Sequence, residues 1–256
     1  MLIMLPERIK HWISKQVYEL DTIGMSEAQV RLFTDVVLKI EQANEESNNE
    51  LLMIEWLQGK LPVPQLIVTE KVADTNYLLM SRVPGMMTCD PIQLRQPEQT
   101  IELLAAGLKL LWSVSITDCP IDNSLAYKLK KAAARVEQQL CTMEDAEETT
   151  YGAEGFANPQ ALLDWLIAHQ PIEQMVFSHG DYCLPNIFIN DNNISGFIDL
   201  GWAGIADKWQ DIALCVRSIA HNFGKNPSYI DQLFAALQLE PNWEKINYYI
   251  LLDELF

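Results

Sequence analysis

The apolar pattern of the chain changes once, at Pro84-Gly85, and that change limits the fold more than any other feature. Before it, apolar runs are short and strand-like. Val30-Arg31-Leu32-Phe33 and Val36-Val37-Leu38-Lys39-Ile40 read as a hairpin through Thr34-Asp35, and 66–69 and 76–81 as two further strands. Pro6 is placed to open a helix running to about Leu20, with Ile9, Ile13 and Val17 facing a core. Glu50 is expected to begin a second helix, with Leu51, Ile54 and Leu57 on one side, closed by Gly59 and the prolines at 62 and 64.

From Glu98 onward the chain reads as mostly helical, with helices expected over 98–114, 125–140, 159–168, 210–221, 228–237 and 243–254. Strands at 187–189 and 195–198 interrupt this run and bracket Asp191-Asn192-Asn193. The expectation is an α+β fold of two lobes with a cleft between them. A small β-rich N-lobe would span 1–83, with a hinge near 81–84, and a larger, mostly helical C-lobe 84–256.

Composition removes several function classes. The 18 basic and 35 acidic side chains leave a formal charge of -17, which opposes binding to nucleic-acid phosphates and attracts a polycation. No apolar run approaches the roughly 20 residues of a bilayer crossing. The opening MLIMLPERIKHW has an apolar run of five residues and no small-residue cleavage site after it, so a cytoplasmic protein without a membrane partner is expected. The five cysteines are widely spaced and odd in number, as expected of thiols in a reducing compartment. Neither GxGxxG nor GxxxxGK occurs, and GxSxG is absent as well.

The chemistry concentrates in Ser178-His179-Gly180-Asp181-Tyr182-Cys183-Leu184-Pro185-Asn186, followed by Phe197-Ile198-Asp199. Asp181 precedes Asn186 by five positions, the spacing of a catalytic aspartate and a metal-binding asparagine in a phosphoryl-transfer loop. Magnesium prefers carboxylate and amide oxygens, so Asn186 and Asp199 suit it. Each alone could equally cap a turn or end a strand; the array is what carries the reading. Lys39 lies in an otherwise apolar strand, where a lysine is costly unless paired, and Glu50 is its candidate partner. Met25-Ser26 could cover the terminal phosphates or merely cap a turn. His179 is read as a support for the loop through a buried hydrogen bond. Two acidic patches, Glu144 to Glu148 and Asp253-Glu254, would supply acceptors for ammonium groups if both border the cleft.

With these residues in view, the chain resembles the aminoglycoside 3'-phosphotransferases. The likeness lies in FSHGDYCLPNIFIN, GFIDLGWAGIADKWQDIALCVRSI, the ending YILLDELF, Gly24-Met25-Ser26, GKLPVP from Gly59, LLMS from Leu78 and Asp118-Cys119-Pro120. The resemblance implies a protein-kinase-like fold, ATP or GTP as co-substrate, Mg2+, and transfer of the γ-phosphoryl group to a sugar hydroxyl, most simply the 3'-hydroxyl of a polycationic aminoglycoside. It implies Asp181 as the catalytic aspartate, Asn186 and Asp199 as metal ligands, and Lys39 with Glu50 on the phosphates. Met25 and Ser26 would lie over the nucleotide, with Met80, Ser81, Arg82 and Val83 along the base. Glu148, Asp253, Glu254 and Phe256 would face the antibiotic, and the protein would act as a monomer or a weak homodimer. Val37 and Trp202 depart from the pattern: relatives can place an aromatic ring at the first position and commonly an arginine at the second. Two alternatives stay open, a kinase of this fold for another small hydroxylated substrate and a noncatalytic nucleotide-binding protein.

Overall fold

The computed structural model describes residues 5–21, 28–144, 146–147, 149–153 and 155–256. The first lobe contains α1 (Glu7–Ile13), β1 (Glu19–Leu20), β2 (Gln29–Leu32), β3 (Val36–Gln42), α2 (Glu45–Leu57), β4 (Leu66–Val72) and β5 (Thr75–Ser81). Its strands form one antiparallel sheet in the order β1-β2-β3-β5-β4. The expected hairpin is present, its turn closed by Phe33 N–H donating to Val36 O at 2.9 Å.

Strand alternation sorts β3 into two faces. Leu38 and Ile40 join Ile9, Ile13, Phe33, Val68, Tyr77 and Leu79 in a core beneath α1. Val37, Lys39 and Glu41 point the other way, toward the cleft side of the sheet. Leu78 and Met80 of β5 reach that side too and pack with Met53, Ile54 and Leu57 of α2 in a cluster that continues into the second lobe.

In the first lobe two helix boundaries differ from the sequence reading. The first helix stops at Ile13 rather than near Leu20, because Lys15 turns left-handed (φ 65°) and the chain then enters the sheet, pairing Glu19 with Leu32. Val17 is consequently 88% exposed instead of facing the core. The second helix begins at Glu45, not Glu50. Asn44 caps it by accepting from Ser47 N–H at 2.8 Å, and Ser47 Oγ accepts from Asn44 N–H at 3.0 Å. Glu45 and Glu46 then sit in the first turn, where the helix dipole favours negative charge.

The second lobe runs through β6 (Met86–Met87), α3 (Pro91–Leu94), α4 (Pro97–Trp112), α5 (Leu125–Glu137), α6 (Pro159–Ala168), β7 (Met175–Ser178), β8 (Ile187–Asn190), β9 (Asn193–Phe197), β10 (Gly204–Asp207), α7 (Lys208–Phe223), α8 (Pro227–Leu237) and α9 (Trp243–Asp253). Asp191 and Asn192, both left-handed, make the tight β8–β9 turn. The short strands β6, β7 and β10 were not expected. β6 extends the β8–β9 hairpin, while β10 pairs with β7 through Gly204 opposite Ser178. The lobes also meet where Lys131 of α5 lies 2.8 Å from Glu45 of α2, and the Tyr127 hydroxyl donates to the same carboxylate. Among the described residues no helix is long and apolar enough to cross a membrane.

Candidate active site

The loop after β7 is shaped by a carboxylate from α7. Asp211 is fully buried and accepts from Ser178 Oγ at 2.9 Å, His179 N–H at 2.8 Å and Gly180 N–H at 2.9 Å. Gly180 adopts φ 83°, and a Cβ there would stand 1.8 Å from the Trp202 carbonyl oxygen, so only glycine lets the two chains pass. His179 is buried, and its Nδ1 accepts from Asp181 N–H at 3.3 Å, the supporting role expected of it. Burial lowers its pKa, keeping the ring neutral.

Asp181 leaves this frame held by Asn186, which sits on a 3-10 turn at Leu184–Asn186. The Asn186 amide donates to Asp181 Oδ2 at 2.9 Å and to its main-chain oxygen at 3.0 Å. Burial first, then the Asp253 and Asp199 carboxylates, push the Asp181 pKa up to about 6. Ile198 N–H donates to Asn186 O at 3.1 Å, joining the turn to the end of β9, where Asp199 takes a left-handed conformation (φ 58°). Such backbone strain in a non-glycine residue is a frequent mark of functional sites.

Lys39 reaches the same point from the other lobe. Its ammonium lies 2.6 Å from Glu50, 3.3 Å from Asp199 and 3.4 Å from Glu41. Burial by itself would lower its pKa, but these carboxylates raise it, so the lysine stays charged. Glu41 is pushed up to about 7, mainly by burial and against the pull of Lys39.

These groups stand between two cavities. The larger, about 430 Å3, is lined by Lys39, Asn186 and Asp199 at one end and by Met80, Ser81 and Val83 at the other. Its wall includes Val37, and also Arg82. The smaller, about 230 Å3, is lined by Asp181, Asp199, Lys128, Trp202, Asp253 and Phe256, with Glu46 and Gly180. Asp181 borders the small cavity, Asn186 the large one, and Asp199 both.

Among the described residues, no group of three or more His, Cys, Asp and Glu side chains is arranged to hold a metal ion. Asn186 spends its amide hydrogens on Asp181, leaving its side-chain carbonyl as a ligand, and the Asp199 carboxylate adds a second oxygen donor. One amide and one carboxylate fit magnesium, which takes its remaining ligands from water and phosphate.

Residues 13–249 match the phosphotransferase enzyme family. An aminoglycoside 3'-phosphotransferase of Enterococcus faecalis is 40% identical over 260 residues, covering 97% of both chains. Another from Staphylococcus aureus is 40% identical over 259 residues, again covering 97% of both. The chain belongs to the aminoglycoside phosphotransferase family. The fold agrees: the solved aminoglycoside phosphotransferase of Streptomyces rimosus superposes with a TM-score of 0.83 at 23% identity, over 96% of this chain and 95% of that one.

In this phosphotransferase the two acidic segments converge, as Glu147 N–H donates to Glu254 at 3.2 Å. Asp253 is ion-paired with Arg217, so one of the expected ammonium acceptors already has a cation. Phe256 packs edge-on against Trp202 at 5.2 Å. Met25, Ser26 and Glu148 lie outside the described residues. Sequence reasoning missed Asp211, Arg217 and Lys128. A carboxylate beside Ile212-Ala213-Leu214 was the available signal for Asp211; Lys128 was hidden among Lys130 and Lys131.

Proposed function

We propose that this enzyme transfers the γ-phosphoryl group of ATP to a sugar hydroxyl of an aminoglycoside, the 3'-hydroxyl first, and thereby confers resistance to the antibiotic. The observation that carries the reading is the position of Asp181, Asn186, Asp199 and Lys39 at the junction of the two cavities. The nucleotide enters the larger one. Ser81 N–H and Arg82 N–H are already spent on Gln65 O and Asp35 O, so Val83 is the candidate donor to the base near a hinge at 81–84. Lys39, fixed by Glu50, takes the α and β phosphates. Asn186 and Asp199 would hold Mg2+, which neutralises charge on the phosphates.

The acceptor enters the smaller cavity. Asp181 aligns its hydroxyl and takes the proton as the new O–P bond forms; the bond from the γ-phosphorus to the bridging oxygen breaks, and ADP leaves. Orientation and electrostatics carry most of the acceleration. Glu254, Asp253 and Phe256 form the antibiotic's side of the site, with Glu148 a further candidate. A monomer is proposed as the working unit, in the cytoplasm where ATP is supplied.

Initial rates of magnesium-dependent ATP consumption with kanamycin and with tobramycin, which lacks the 3'-hydroxyl, test the proposal. Turnover with kanamycin alone is expected. Turnover with neither, from folded protein, would refute it.

A further inference from the structure

Phe256 supplies part of the wall of the small cavity, and its main chain is gripped by a residue that lines neither cavity. Arg135 stands near the end of α5. Its Nε donates to Leu255 O at 2.8 Å, while Nη2 donates to Phe256 O and, at 3.4 Å, to Leu140 O. All three bonds end on main-chain oxygens. The last carbonyls of a helix have no donor within it, so Leu255 and Phe256, which follow α9, need one from elsewhere. A guanidinium presents its N–H groups as a rigid fork and can hold two neighbouring carbonyls at once. Cys141 Sγ, 3.3 Å from Leu255 O, adds a weak donor to the same carbonyl.

The side chain of Phe256 is set between the same partners. Its ring meets Trp202 edge-on at 5.2 Å and lies 5.8 Å from the Arg135 guanidinium. Without Arg135, the two residues past α9 would keep their ring contacts but lose the bonds that fix their backbone. A segment that must be ordered as a ligand arrives subtracts that ordering cost from the affinity, and one held beforehand does not.

We propose that Arg135 is a positioning residue for the acceptor, holding Leu255 and Phe256 so that the Phe256 ring forms the cavity wall before the antibiotic arrives. This rests on the phosphotransfer reading, in which the small cavity takes the acceptor. Arg135 bonds to none of Lys39, Asp181, Asn186 and Asp199, so its removal should be felt by the antibiotic and not by the nucleotide.

The test is a cycle of wild type, Arg135→Ala, Phe256→Ala and the double variant, with kcat and KM measured for kanamycin and for ATP. Arg135→Ala is expected to lower kcat/KM for kanamycin about tenfold, the lower end of the range for hydrogen bonds to a charged group. The fall should come through KM, with kcat and the KM for ATP little changed. In the Phe256→Ala background the same substitution should change kcat/KM by less than about twofold, because the ring it positions is gone. Arg135→Lys keeps the charge but has no fork, and should fall between the wild type and Arg135→Ala. If melting curves show that Arg135→Ala does not fold, Arg135→Lys carries the same cycle. Unchanged kinetics, a loss shared equally by kanamycin and ATP, or an equal loss with and without the Phe256 ring would each overturn the inference. Absence of turnover in the wild type would instead bring down the phosphotransfer reading on which it rests.

Discussion

Asn186 holds Asp181 in place, its amide donating to the Asp181 carboxylate at 2.9 Å. The same side chain presents its carbonyl toward the metal role, so the two substitutions should separate. Asp181→Ala is expected to lower kcat by about 10²- to 10⁴-fold, the range of general acid–base catalysis, with ADP binding retained. Asn186→Ala should lower kcat and also raise the magnesium concentration needed for half-maximal rate. Steady-state rates across a magnesium titration check both, and an Asp181→Ala enzyme with wild-type turnover would remove Asp181 from the mechanism.

The raised pKa of Asp181 gives a pH signature. In its proposed role as proton acceptor it works ionised, so kcat/KM should fall about tenfold per pH unit below a midpoint near 6. Stability runs the other way. Between 3.8, the ordinary value for an aspartate, and about 6, the folded chain keeps a proton that the unfolded chain has released. Asp181 therefore costs stability above pH 6, and the cost fades as the pH falls through that window. Asp181→Asn should raise the melting temperature at pH 7.5 by more than it does at pH 5, as differential scanning calorimetry would show.

Lys39 is a counter-ion for Glu50 as well as a candidate phosphate ligand. Lys39→Ala leaves the Glu50 carboxylate buried without its cation, and should cost about 3–5 kcal/mol in addition to the loss of activity. Adding Glu50→Gln to that background should recover part of the stability and none of the turnover. Urea unfolding of the single and double variants measures the coupling; strict additivity would contradict the pairing.

Asp211 is predicted to matter for the fold of the loop more than for binding. Asp211→Ala strands the buried His179 N–H and the Ser178 hydroxyl and leaves Gly180 N–H only its 3.1 Å bond to Ser178 Oγ, and is expected to cost about 3 kcal/mol. With the loop loosened, kcat should drop while ADP affinity changes little. Isothermal titration with ADP and chemical denaturation provide the two readings.

How far the sequence discloses this site depends on how local each signal is. Asp181, Asn186 and Asp199 lie within one short stretch whose spacing already states the chemistry, and Lys39 declares itself as a charge inside an apolar strand. The helix at Pro159–Ala168 was equally plain, since Asn158 caps it and proline opens it. Other features arise only when distant segments meet. Glu19 leaves its helical pattern because β2 offers it a partner, β7 is completed by β10, and Asp211 finds its donors more than 30 residues upstream. The start of α2 was legible in principle, but the Asn44–Ser47 cap lacks the acidic residue at its third position that usually advertises it.

The contact of Glu45 with Lys131 and Tyr127 has a kinetic meaning. Glu45 is 53% exposed, so water and salt compete for the ion pair, and it is worth no more than about 1 kcal/mol. A clasp that weak stands undone in a sizeable fraction of molecules at any instant. It joins the two lobes without locking them, so parting them at this point costs little free energy.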